Sequence, residues 1–254
     1  MKKLKLTTAE YNETKGLRST EIKKMLINPY AYKIGEEDKS SASLKMGSYA
    51  HALLFEPETI DNEFGFYCGG RGTKERVKEI EDANKIPISD VEKAQIESAI
   101  NALKESEAYK LFENCEYEVS CFKEYKEVLL KCKIDALGKD YILDLKTTSL
   151  PNGANPNEFA KNCANYGYYI QAAHYMRVTG INKFLFVVLE LNPPYMIGLY
   201  SLDIPSLDFG FDELDRAIEI YKNLDKFKNN IYLDTKDFSK VHTISLPNYV
   251  YYRK

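Results

Sequence analysis

The sequence predicts an α/β protein in which a central mixed β-sheet is flanked by helices and preceded by a helical N-terminal layer. Three observations carry this. From Glu116 the apolar period changes to two, and three strand-like runs come in succession. A long helical segment then separates these from two more strand-like runs and a closing helix. Everything ahead of Glu116 reads as helix or polar loop, an order that fits helices packed on a sheet.

At the N-terminal end, Leu17-Arg18-Ser19 followed by TEIKKMLI reads as a helix capped by Ser19 and stopped at Asn28-Pro29. GEEDKSSAS is a polar loop. In SLKMGSYAHALLFEP, Leu44, Gly47, His51 and Leu54 recur at helical spacing until Pro57 ends the run. CGGRGTKERVKEIEDANK is glycine-rich and then strongly charged, so it predicts a mobile loop or a solvated helix. SDVEKAQIESAINALKESEAYKLF is an amphipathic helix with its start signal at Asp90. EYEVSCFKEY, EVLLKCKIDAL and YILDLKTT are the three strands, the last turn being Gly138-Lys139-Asp140. After the loop SLPNGANPNE, a long helix covers about 158–179 and ends at Gly180. KFLFVVLEL and YMIGLYSLD are strands joined by Asn192-Pro193-Pro194, and FDELDRAIEIYKNLDKF is the closing helix. The tyrosine-rich LPNYVYYRK reads as a docking segment. No internal repeat or low-complexity linker divides the chain, so 1–254 is read as one domain: a helical part at about 17–114, a core at about 115–230 and a tail at 231–254.

Composition excludes several classes. At 254 residues and 44% hydrophobic content the chain can bury a large core. Its apolar runs fall short of the roughly 18 residues of a membrane span, and MKKLKLTTAEYNE has no apolar signal core, which predicts a cytoplasmic protein with no membrane partner. Five cysteines, an odd number with no CxxC pair, suggest neither a disulfide framework nor a zinc knuckle. A net charge of −3 does not announce nucleic acid, so any such reading must rest on local chemistry.

That chemistry centres on DALGKDYILDLKTT, residues 135–148. On a strand, Asp144 and Lys146 project together while Leu143 and Leu145 face the other way. A short hairpin brings Asp135 beside Asp144, and two carboxylates about 4 Å apart repel by roughly 4 kcal/mol at an effective dielectric near 20. Lys146 offsets part of this, and a divalent cation offsets more, since hard oxygen ligands suit Mg²⁺ or Mn²⁺. Such an ion beside a lysine acidifies and orients a water, which leads to phosphodiester hydrolysis. Read alone, the D-x-K triplet favours a structural ion pair at a sheet end. Gln171 and Tyr175, four apart, share one helix face and alone read as plain helix surface. His51 alone reads as a core histidine. Glu118 is a second acid near the site or a solvated one.

Taken together, Asp135, Asp144-Leu145-Lys146-Thr147-Thr148 and Gln171-Ala-Ala-His-Tyr175 resemble the D…D-x-K…Q-x-x-x-Y signature of the PD-(D/E)XK nuclease superfamily, in its RecB-like and lambda-exonuclease-like branch. MGSYAHALLFEPE resembles the G-x-x-x-H-x-x-L-x-E-P-E segment of RecE-type exodeoxyribonuclease VIII, and LRSTEIKKMLINPYAYK its opening helix, so the likeness covers about residues 17–205. The resemblance implies a restriction-endonuclease-like core holding Mg²⁺, with Mn²⁺ as a substitute. It assigns the metal to His51, Asp135, Asp144 and the Leu145 backbone carbonyl, and gives Lys146 the attacking water. Gln171 and Tyr175 then brace the site or touch the DNA backbone. Phosphate contacts are expected among Thr147, Thr148, Ser19 and Arg18. Arg71, Lys74, Arg76 and Lys78 read as a solvated charge run, interspersed as they are with Glu75, Glu79 and Glu81. The implied activity is a phage-type recombination exonuclease on the ends of linear duplex DNA, 5′ to 3′, leaving 3′ single strands for an annealing protein. A homo-oligomeric ring is implied with it. A RecB-like endonuclease, a single-strand nuclease and an inactive DNA-binding module are the alternatives. The second acid is Asp144 where the superfamily more often has glutamate, which shortens its reach by about one methylene.

Overall fold

Ahead of the first predicted helix, the chain forms two elements too short for periodicity to mark: strand β1 (Lys2–Lys5) and helix α1 (Thr8–Glu13). Thr7 and Glu10 cap α1 reciprocally. The computed structural model describes residues 1–35, 42–228, 241 and 243–245. The middle of the predicted polar loop and the LPNYVYYRK segment lie outside the described residues.

Helices α2 (Ser19–Ile27), α3 (Pro29–Lys33) and α4 (Ala42–Phe55) come next, then the short α5 (Ile60–Glu63). Strand β2 (Phe64–Tyr67), α6 (Thr73–Asp82) and β3 (Ile86–Ser89) form a small parallel βαβ unit. A Cβ at Gly65 would lie 2.6 Å from Ile80 Cγ2, so only glycine lets α6 lie this close. α7 (Asp90–Glu105) is capped by Ser89, whose hydroxyl accepts from Glu92 N–H while Glu92 accepts from Ser89 N–H. It buries Ile96, Ala99, Ile100 and Leu103 at helical spacing.

The main sheet is built from β4 (Glu116–Tyr125), β5 (Val128–Leu137) and β6 (Ile142–Thr148), then, after α8 (Pro156–Asn165) and α9 (Tyr168–Thr179), from β7 (Phe184–Glu190) and β8 (Ile197–Tyr200), with α10 (Ile204–Lys222) closing the chain. Strand order is β1-β4-β5-β6-β7-β8, antiparallel throughout except for the parallel pair β6–β7, so the predicted mixed sheet with flanking helices is the fold observed. Two cores cover its faces. One joins the sheet to α2, α9 and α10 through Ile22, Met25, Ile134, Ala172, Phe186 and Ile218. The other lies under α4 and α7 and includes Tyr49, Ile96, Leu103, Leu143, Leu145 and Val187.

Several local expectations need correction. Ser19 does not cap α2; Arg18 is the cap position, and Glu21 accepts its N–H at 2.8 Å. Leu44 is not on the buried stripe of α4 but is 59% exposed, since the core side of that helix starts at Tyr49. The helix expected over 158–179 is two helices, because Gly167 adopts a left-handed φ of 62° between them. The closing helix starts at Ile204, not near 211, where Asp203 accepts from Ser206 N–H and Pro205 fits the first turn. The charged GTKERVKEIED stretch is the solvated helix α6, with no buried residue.

Two irregularities interrupt the sheet. β5 and β6 pair over only two rungs, Ala136↔Leu143 and Leu137↔Ile142, and then separate, while β6 stays paired to β7 over seven. The second lies in β4. Glu118, opposite Asp135, has a left-handed φ of 54° and is the row omitted from an otherwise continuous β4–β5 ladder. Such a backbone costs a residue bearing a Cβ roughly 1–2 kcal/mol. It also switches faces: Tyr117 packs with the α4/α7 core and Val119 with the opposite one, although alternation would put both on the same side.

Candidate metal centre

The separation of β5 from β6 leaves backbone groups without ladder partners, and side chains take their place. Leu145 N–H donates to Asp135 Oδ2 at 2.8 Å. The Leu145 carbonyl accepts from His51 Nε2 at 3.0 Å. His51 reaches it from α4, which lies over the end of β6; a Cβ on Gly47 would stand 3.4 Å from Thr147 Oγ1. Asp135, Leu145 and His51, which come from three separate parts of the sequence, thus close on one another.

Burial, and after it the charge of Lys146, lowers the His51 pKa, so its ring is neutral at neutral pH. With the Nε2 proton committed to the Leu145 carbonyl, Nδ1 presents a lone pair 3.6 Å from Asp135 Oδ2. Two electron-rich atoms facing each other at this distance are relieved by a proton or by a cation between them. Glu118 joins them, and one donor atom each from His51, Glu118 and Asp135 lie within 4.8 Å of one another, a grouping that among the described residues occurs here. Burial first, and Asp144 second, push Asp135 up to about 8; burial and then Asp135 push Glu118 up to about 7. Protons are therefore held where a divalent ion would displace them, and the donor set of one imidazole and hard carboxylates suits such an ion.

Asp144, almost fully buried, lies beside this group. Its Oδ1 accepts from Gln171 Nε2 at 2.6 Å. Its Oδ2 lies 2.5 Å from Lys146 Nζ but makes no aligned hydrogen bond. Burial works against the Lys146 charge, yet Asp144 and Asp135 outweigh it and raise the lysine pKa. The ammonium also stands 4.7 Å from the centre of the Tyr168 ring.

The remaining predicted positions divide. Tyr175 is packed edge-on against Phe184, and its pKa is raised well above normal, by burial first and with both Asp144 and Asp135 contributing. Thr148 Oγ1 accepts from Leu150 N–H, which binds it to the loop after β6. Arg18 donates to Asn12 Oδ1 at 3.0 Å, and Ser19 is buried in the first turn of α2, so neither is joined to the acids by a hydrogen bond. Sequence reasoning overlooked Lys133. Its ammonium lies 2.6 Å from Glu118, 3.0 Å from Glu56 and 3.0 Å from Thr8 Oγ1, and so holds Glu118 in its strained conformation. Its spacing two residues before Asp135 was a usable signal, hidden because lysine on a strand usually points to solvent.

Comparison with known families settles the relationship. The family described as a PDDEXK-like domain of unknown function (DUF3799) matches residues 20–230. The chain belongs to the PDDEXK-like family. Among solved structures, this PDDEXK-like chain is similar to a candidate exonuclease from Eubacterium rectale, at 16% identity and a TM-score of 0.58, with 87% of this chain and 88% of that one covered. A phage-related exonuclease from Haemophilus somnus aligns at 13% identity and a TM-score of 0.39, over 85% of this chain and 97% of that one. No curated protein matches. The first likeness supports the fold, and the superfamily expected from the D-x-K and Q-x-x-x-Y spacing is the one found. No helix among the described residues of this PDDEXK-like chain is long and apolar enough to cross a membrane.

Proposed function

We propose that the protein is a divalent-metal-dependent DNA exonuclease of the RecE type, acting 5′ to 3′ on linear duplex DNA in the cytoplasm and leaving 3′ single strands for an annealing protein. The observation that carries this reading is the convergence of His51, Glu118, Asp135 and Asp144 beside Lys146 where β5 and β6 part. His51, Glu118 and Asp135 would hold the ion, with Asp144 adjoining, and Mg²⁺ is favoured with Mn²⁺ as its substitute. When bound there, the ion supplies charge neutralisation at the phosphate and acidifies water. Lys146, kept charged by the acids, places a positive donor beside them, where a phosphate oxygen gains charge during hydrolysis. Gln171 fixes the Asp144 carboxylate through Oδ1 and leaves Oδ2 to face Lys146. A ring of copies around the duplex would let a protein of net charge −3 stay on DNA by topology and not by bulk attraction.

The test compares linear duplex with covalently closed plasmid in Mg²⁺, using label at either end. Early release of the 5′ label with the closed circle left intact is expected. Cutting of the closed circle would overturn the exonuclease reading in favour of an endonuclease with the same centre. A second expected result concerns the ligand from the helical layer. His51→Ala should raise the Mg²⁺ concentration for half-maximal rate by about tenfold or more, a typical range for weakened metal sites. An unchanged metal titration would return His51 to a packing role.

A further inference from the structure

We propose that Lys23 is a second phosphate contact of the same centre, holding a backbone diester next to the one that is cut. This rests on the nuclease reading and adds to it a residue on α2, within the opening helix, that sequence reasoning left without a role. The Lys23 ammonium donates to the Tyr166 carbonyl at 3.0 Å and stands 5.8 Å from the centre of the Tyr168 ring. The same ring faces Lys146, so one aromatic side chain carries two cations. Their surroundings differ. Lys146 is answered by Asp144, whereas among the described residues no carboxylate pairs with Lys23.

Passage of the Lys23 stem is built into the fold. It crosses Gly167, where a Cβ would meet Lys23 Cδ at 2.8 Å, so the glycine that divides α8 from α9 also opens the way for the lysine. Burial, and then the like charge of Lys146, lower the Lys23 pKa to about 8, and Asp144 offsets this only in part. An ammonium has three donors, and one carbonyl uses one of them. A phosphodiester supplies the missing charge and the acceptor oxygens, and lysine binds phosphate as a point charge without needing a paired geometry. The bland alternative is a tie between α2 and the end of α8, made by the bond to Tyr166 alone.

Lys23→Met keeps the stem and removes the charge; Lys23→Arg keeps the charge. Binding of a short fluorescent duplex, measured by anisotropy with Ca²⁺ in place of Mg²⁺, should weaken about tenfold in the methionine variant near 0.1 M salt. The slope of log K against log salt should fall by about one, the loss of one phosphate contact. The arginine variant should recover most of both. A neutral methylphosphonate at one of the two diesters flanking the cut should weaken wild type and leave Lys23→Met indifferent. If wild type binds and cuts DNA while Lys23→Met matches it in affinity and slope, the proposal fails. Equal losses in both variants would likewise overturn it in favour of the structural tie. Wild type that neither binds nor cuts DNA would overturn the nuclease reading itself.

Discussion

Asp144→Asn should leave the fold in place and lower hydrolysis of linear duplex DNA about a thousandfold or more. Asparagine preserves the size of the side chain and an oxygen to accept from Gln171, so packing against α9 is kept. What disappears is the negative charge 2.5 Å from Lys146, which leaves a nearly buried ammonium with Asp135 as its remaining acid and removes a carboxylate from the metal's surroundings. Effects of 10²–10⁴ are usual when one catalytic charge or proton-transfer group is removed. Lys146→Ala should cost as much in rate while sparing metal affinity, because Lys146 donates no ligand. Calorimetric titration with Mn²⁺, alongside single-turnover rates on a labelled duplex, separates the two variants. Either variant within about tenfold of wild type would mean that Asp144 and Lys146 form a structural ion pair and the chemistry lies elsewhere.

The second large effect is on stability. Phe186→Ala should destabilise the protein by about 4 kcal/mol, within the range for deleting a buried aromatic ring. Phe186 is completely buried, with ring centres at 4.8 Å from Phe184, 5.3 Å from Phe159 and 6.0 Å from Tyr168. Little can collapse into the space it leaves, since its neighbours are themselves rings fixed by strands and helices. For a chain of this size the change corresponds to a fall of roughly 10 °C in melting temperature, read by calorimetry. Phe186 is also the in-register partner of Asp144 across the parallel strands, so its loss loosens the floor beneath the acid. A fall of less than about 3 °C would show that the cluster repacks.

Much of this was legible in the sequence because the relevant signals are local. Alternation from Glu116 onward defines the hairpin strands to within a residue or two, and the resulting register, which ends at Ala136↔Leu143, leaves Asp135 and Asp144 one residue beyond the last paired rung. The i, i+3, i+4 stripe likewise marks α7, but the helix is capped by Ser89 and ends at Glu105, whereas the sequence reading carried it on to Phe112. Elements of four to six residues, such as β1, α1 and β2, were not legible, since alternation over two periods is indistinguishable from chance. The break at Gly167 was hidden because a single glycine within an apolar periodic run does not by itself announce a left-handed turn.

At the centre itself, strand alternation and the hairpin led to Asp135, Asp144 and Lys146, and the family resemblance to Gln171, but Glu118 remained open between two readings. Its position depends on a backbone that abandons strand geometry for one residue, and alternation assumes the opposite. Lys133 and Lys23 were missed for a related reason. Their partners, Glu56 and Tyr166, lie 77 and 143 residues away, so only the tertiary structure shows that these lysines are held.

The two rungs joining β5 to β6 make the sheet a pair of plates on a narrow joint. One plate carries Glu118 and Asp135; the other carries Asp144 and Lys146. Across the gap beyond that joint the Asp135 carboxylate and the Leu145 N–H already stand in for the missing ladder, and anything further that bridges it ties the two plates more firmly together.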